Sequence, residues 1–294
     1  NCSYCWNTSL QEKYKGLGSF IRRKSPERAV REITTVQERW RLRNVHFSDD
    51  LFTVSPSWIE EFAERYAREV GLPFTCNTSA SLATERSVEA LRVAGCRGVA
   101  IGVETGNEEL RSKILGKPVP DQVIRDAASR IKGAGLELYT YNMVGAPGET
   151  PDDVLKTIAL NRSIGVDAVR VNMAVPLKHT EFRETAFTLG FLAEEGEHTA
   201  PGRLNQGRVH LQHEHARTLE GLYRLFIPAV HSTICPTVLR KMAERVPPRL
   251  LSALQAWTLL EERKLVRVSW REAARFYRHV GDPKRRTANY VSLI

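Results

Sequence analysis

Two cysteines three positions apart, in Cys2-Ser3-Tyr4-Cys5, are the first residues in the chain with the means to do chemistry. Two intervening residues let both thiolates turn toward one side of a tight loop, which suits a shared metal or a reversible dithiol. Zinc would need a second such pair, and the sequence has no other C-x-x-C. A thioredoxin-type pair would open a helix directly after a strand. The spacing alone leaves metal or cluster ligation, a redox pair and coincidence open. Glu104 is the next candidate, because a carboxylate placed directly after the apolar run 98–103 is costly unless something pairs with it.

Other apolar runs end in the same manner, at Asp49-Asp50, Asn77-Thr78, Gly145-Ala146-Pro147-Gly148-Glu149 and Pro176-Leu177-Lys178-His179-Thr180. Each exit is polar, glycine-bearing or turn-like. Asp49-Asp50 and Glu149-Thr150 also read as helix-capping signals, and the glycines as turn formers. Cys76, inside a strand, and Cys96, at a helix-to-strand corner, read as core fillers. His210, His213 and His215 put at most two rings on one helical face and read as a polar surface. Lys284-Arg285-Arg286 reads as an anion contact or a charged tail.

The elements that would position these residues follow from the hydrophobic pattern. Short apolar runs at 45–48, 74–77, 98–103, 136–144 and 168–175 alternate with amphipathic stretches, the pattern of repeated βα units around a parallel sheet. Ser25-Pro26, Ser55-Pro56 and Thr150-Pro151-Asp152-Asp153 mark helix starts. In an open sheet or a barrel of this kind the ligand site lies where the strands end. One ring of polar groups around a common mouth is therefore expected. The stretch 191–208 reads as a linker, and 209–294 as a basic helical domain with apolar residues at helical spacing in Leu219-Leu222-Tyr223-Phe226 and Leu250-Leu251-Leu254-Trp257-Leu260.

The 294 residues are 42% apolar and 26% charged, which excludes disorder and low complexity. Five cysteines are too few for a disulfide scaffold and, being an odd number, fit a reduced compartment. With no apolar span or signal segment, the expectation is a cytoplasmic protein. The net charge of +9 is uneven: residues 201–294 hold 17 Lys and Arg against 7 Asp and Glu. Such a tail suits RNA or an acidic partner in a non-catalytic α/β module, but it lacks an RNA-binding pattern and its aromatics sit at core spacings. Nucleic acid is therefore not the expected partner.

Taken in order, Cys2-Ser3-Tyr4-Cys5, Arg23-Lys24-Ser25-Pro26, Phe47-Ser48-Asp49-Asp50-Leu51-Phe52-Thr53, Ala94-Gly95-Cys96, Gly102-Val103-Glu104-Thr105-Gly106 and Gly145-Ala146-Pro147-Gly148-Glu149-Thr150 resemble the radical S-adenosylmethionine (SAM) enzymes. The resemblance is strongest to the group associated with a cobalamin-binding domain. Its cluster loop has the form C-x-x-x-C-x-x-C with an aromatic before the last cysteine, so Cys2, Tyr4 and Cys5 match its second half. The resemblance implies an α/β fold: a partial (βα)6 TIM-like barrel over 1–190, its first strand missing, with a helical C-terminal domain. It implies a 4Fe-4S cluster on Cys2 and Cys5, reductive cleavage of SAM to a deoxyadenosyl radical, a small-molecule substrate, and an electron donor such as flavodoxin or ferredoxin.

By the same resemblance Tyr4 would pack near the adenine, and Asp49 and Asp50 would take the position that holds the methionyl amino group. Asn77 and Glu104 would reach the ribose or methionyl portion, and Val144, Gly145 and Gly148 would give backbone contacts to the adenine. Methyl transfer through cobalamin and ring-forming oxidation are both implied outcomes. The chain opens at Asn1-Cys2 without an initiator methionine, so a truncated piece is expected, with the remaining cluster cysteine and any cobalamin domain upstream. The cobalamin loop Asp-x-His-x-x-Gly is absent from this sequence. Ser79 and His179 stand where related proteins often carry arginine and glycine, so substrate specificity does not carry over.

Overall fold

The computed structural model describes residues 2–192, 211–247 and 250–251. In chain order these form α1 (Trp6–Lys13), α2 (Pro26–Arg39), β1 (Val45–Phe47), α3 (Pro56–Glu69), β2 (Phe74–Thr78), α4 (Glu85–Val93), β3 (Cys96–Glu104), α5 (Glu108–Lys113), α6 (Asp121–Gly133), β4 (Glu137–Val144), α7 (Pro151–Ser163), β5 (Ala168–Met173), α8 (Glu181–Thr188), α9 (Ala216–Val230) and α10 (Pro236–Arg245). The five strands pair in parallel in the order β1-β2-β3-β4-β5. With helical crossovers between them they make a curled half-barrel, an α/β partial TIM-like fold.

The helix starts follow from local chemistry. Ser25 accepts a hydrogen bond from the Arg28 N–H at the start of α2, and Thr150 forms a capping box with Asp153 at the start of α7. Each such cap contributes about 1 kcal/mol. Both helices carry proline in the first turn, where its missing N–H does no harm.

Strand alternation then divides the sheet into two faces. Phe74, Cys76, Val99, Ile101, Val103, Leu138, Val144 and Val169 are buried against the apolar sides of the surrounding helices in one continuous core. Cys76 and Cys96 belong to that core. On the concave face Ala100, Tyr139 and Ala168 pack with Tyr141, His46 Nδ1 meets Thr75 Oγ1 at 2.8 Å, and the Tyr141 hydroxyl donates to Asn77 Oδ1 at 3.0 Å.

Leu219, Leu222, Leu225 and Phe226 of α9 and Leu239 of α10 join the main core, and the Arg162 guanidinium of α7 donates to the Ala229 and Ile234 carbonyls. These two helices thus share the barrel's interior packing. Leu254, Trp257, Leu260, His210, Lys284, Arg285, Arg286 and most of the expected linker lie outside the described residues. Among the described residues no helix is long and apolar enough to cross a membrane.

Candidate active site

The cysteine loop is stitched to two separate strand exits. The Ser3 N–H donates to the Leu115 carbonyl at 3.0 Å, its hydroxyl to the Ile114 carbonyl at 2.6 Å, and its own carbonyl accepts from the Phe182 N–H at 3.0 Å. The Cys5 N–H reaches the Cys2 carbonyl at 3.1 Å, closing the turn that carries both thiols. Cys5 is the N-cap of α1, its sulfur accepting from the Asn7 N–H at 3.4 Å. Tyr4 packs against the buried cluster that contains Leu110, Leu115, Ala146 and Phe182. Burial, then the neighbouring Glu104 and Cys2, push its hydroxyl well above the usual tyrosine range.

Glu104 ends β3 in a left-handed conformation, φ 65°, unusual for a residue with a side chain. Its carboxylate is buried and pairs with Lys117 Nζ at 2.8 Å, and the same ammonium donates to the Gly102 carbonyl at 2.8 Å. A side chain at Gly102 would meet both partners' charged ends, so the pair in this position depends on the space that glycine leaves. The fully buried Arg111 anchors the connecting loop, donating to the Thr105 carbonyl at 2.6 Å, the Val119 carbonyl at 2.8 Å and Asp121 at 2.5 Å. The pairing that Glu104 requires is thus present. Lys117 itself carries no sequence signal beyond being a single lysine in the turn that follows α5.

The other exits are tied to the same rim. Asp50 accepts from the Asn7 side chain at 2.7 Å, which couples the β1 exit to α1. Asn77 donates to the Asp49 carbonyl at 3.2 Å while accepting from Tyr141. The Trp6 indole donates to the Lys178 carbonyl at 2.8 Å, and the Ser9 hydroxyl to the His179 carbonyl. After β4, Val144 is buried in the core, and Gly145 and Gly148 adopt positive φ. The buried Glu149 carboxylate accepts from the Gly145 and Ala146 N–H groups. Burial raises its carboxyl to about 8 against the pull of those donors. Cys2, Tyr4, Glu104 and Lys117 are in direct succession, Ala146 packs in the same cluster as Tyr4, and Asp50 and Asn77 reach the rim through Asn7 and Tyr141.

The arrangement offers two thiols beside a buried carboxylate, an ammonium and a glycine-rich loop. That donor set suits an iron-sulfur ligand pair next to a charged, multi-part small molecule. Among the described residues no group of three or more His, Cys, Asp or Glu is placed to hold a metal, and Cys235 is exposed. Cys2 and Cys5 therefore fit as two ligands of a cluster, with no third thiolate at this mouth among those residues.

Comparison with known proteins gives a consistent picture. An uncharacterised methyltransferase of Pyrococcus horikoshii is 25% identical over 193 residues, 65% of this chain and 40% of that protein. Cytidylyl-2-hydroxyethylphosphonate methyltransferase of Streptomyces wedmorensis is 19% identical over 66% of this chain and 37% of that protein. The chain thus spans about two fifths of the length of these relatives. The radical SAM methyltransferase TsrM of Kitasatospora setae, solved with cobalamin and a [4Fe-4S] cluster, shares the fold with a TM-score of 0.53 at 19% identity, covering 70% of this chain and 41% of that one. The sequence profile of the Radical SAM superfamily matches residues 1–160, and the chain belongs to that superfamily.

Proposed function

We propose that this chain carries the SAM-cleaving core of a radical methyltransferase acting on a small molecule. One observation carries the reading: the cysteine loop, Tyr4, Glu104 and Lys117 meet in an unbroken line of contacts at one mouth of the barrel. Cys2 and Cys5 would hold a 4Fe-4S cluster, which when bound supplies one electron to cleave the sulfonium, the electron arriving from a flavodoxin- or ferredoxin-type donor. Methyl transfer is favoured over ring formation by the similarity to methyltransferases. Cobalamin, present in the TsrM structure, is the proposed methyl carrier.

The chain's own residues would do the binding. Tyr4 offers an apolar wall to the adenosyl group, and its raised hydroxyl stays protonated as a donor. Glu104, held by Lys117, accepts from ribose hydroxyls. Two of the ammonium's three protons go to Glu104 and Gly102, leaving the third for the methionyl carboxylate. Asp50 and Asn77 close the β1 and β2 side of the mouth. A cationic sulfonium near these carboxylates is stabilised in a low-dielectric setting.

The test uses protein expressed from the whole gene and reconstituted without oxygen. Cys2→Ser and Cys5→Ser are each expected to lose the iron-sulfur absorbance and 5′-deoxyadenosine formation, while Cys76→Ser and Cys235→Ser keep both. Retention of iron and SAM cleavage in the Cys2 and Cys5 variants would overturn the assignment.

A further inference from the structure

His213 lies outside every residue assigned above, yet it touches the loop after β4. Its Nε2 meets the Gly145 carbonyl at 3.2 Å across 68 positions of sequence. Because that oxygen is an acceptor, the contact places a hydrogen on Nε2. The residues around it are fixed by three further contacts. Leu211 is buried in the cluster that contains Ala146 and packs against Tyr4. The Gln212 N–H donates to the Phe191 carbonyl at 2.7 Å, and the Phe191 and His213 rings lie 5.1 Å apart. Burial, reinforced by the nearby His215, holds His213 below the usual histidine range, so the ring stays neutral.

Gly145 is gripped from its other side as well. Its N–H is taken by the Glu149 carboxylate, which also accepts from Ala146 at 3.4 Å. The backbone between these grips stands at φ 90°, a left-handed conformation open to glycine and strained for other residues. The N–H and the carbonyl of one flexible residue are thus held by two side chains from different parts of the chain.

We propose that His213 is a positioning residue for adenosyl binding: together with Glu149 it clamps Gly145 and pre-forms the loop that meets the adenine. The proposal rests on reading 144–148 as the adenine-contacting loop. A loop already held in its bound shape loses less conformational freedom when ligand arrives, so the clamp acts on affinity without touching ligand. It also gives the segment entering α9 a part in the site.

The experiment is calorimetric titration of S-adenosylhomocysteine into the same reconstituted protein expressed from the whole gene and into its His213→Gln and His213→Phe variants, with amide hydrogen exchange of 144–149 measured alongside. Glutamine keeps an N–H donor of similar reach, whereas phenylalanine keeps the packing on Phe191 and removes the donor. His213→Phe is expected to weaken binding about tenfold and speed exchange in the loop, with His213→Gln within about threefold of the parent protein. Equal binding by the parent and His213→Phe would overturn the clamp. Equal impairment of both variants would overturn it too, since loss of packing would then account for the effect. A parent protein that binds no S-adenosylhomocysteine would overturn the adenine reading of the loop and the proposal resting on it. The exchange rates would then still report whether His213 holds Gly145.

Discussion

The β1–β2 side of the sheet and its centre at β3 and β4 are held together with different emphasis. Around β1, α3 and β2, Phe47, Phe52, Trp58, Phe62, Tyr66 and Phe74 form a web of rings with centroids 4.6–6.1 Å apart. Around β3, β4 and α7 the apolar core is joined by a buried polar network. Asn161 donates to Asn142 Oδ1 and the Thr157 carbonyl, each at 2.8 Å, and accepts from Thr140 at 2.5 Å. The Gly106 N–H donates to the Thr157 hydroxyl at 2.8 Å, and Asn107 donates to Asp153 at 2.9 Å. Dispersion between rings is individually weak and tolerant of small shifts, whereas hydrogen bonds in a dry interior demand geometry and penalise an unmatched partner. Glu104, Lys117 and the Gly145 loop hang from the second region. Of the residues proposed to bind ligand, Glu104 and the Gly145 loop stand on the side rich in directional bonds, whereas Asp50 and Asn77 stand at the exits of the aromatic side.

The sharpest way to break this comparison is to remove one directional anchor. Arg111→Met is expected to destabilise the protein by about 3–5 kcal/mol, because the buried Thr105 and Val119 carbonyls lose their donor and Asp121 its cation. Urea unfolding measures the loss, and calorimetry on the folded fraction should find S-adenosylhomocysteine binding gone. An intact affinity would mean that the polar side does not set the site.

A smaller effect is expected from Glu149, whose folded carboxyl stands near 8 against an ordinary value of 4.5. The folded state then holds a proton that the unfolded chain has released, so this contribution is complete below about 4.5 and disappears as pH rises through about 8. Stability should fall by a few kcal/mol across that window. Glu149→Gln should flatten the profile and leave the variant the more stable protein at alkaline pH. An unchanged slope in denaturation curves would remove Glu149 as its source. The smallest effect belongs to the aromatic side: Phe62→Leu is expected to lose about 1 kcal/mol and to leave ligand affinity where it was. A marked drop in affinity would erase the distinction between the two regions.

Much of this was legible in the sequence. All five strands fall within two or three residues of the apolar runs, because the residues that face the shared core are apolar and cluster along each strand. The three proline-marked helix starts are present at Pro26, Pro56 and Pro151. Glu104 was legible as a residue in need of a partner, but which residue would supply it was not. Lys117 is thirteen positions away across a loop whose path depends on Arg111. Helical spacing gives no signal for His213, because helix α9 begins only at Ala216. Its partner is fixed by tertiary folding alone. The short helices α1, α5 and α8 escaped for a related reason, since with six to eight residues each they have too few turns to write a period.

Ser3 is a joint between elements. Its three hydrogen bonds tie the backbone between the two thiols to the end of α5 and the start of α8 at once. The sulfur atoms therefore take their height above the sheet from the chain that follows β3 and the chain that follows β5, much as a keystone takes its height from both flanks of an arch. A shift of the chain after α5 or at the start of α8 therefore reaches the two thiols through the serine that stands between them.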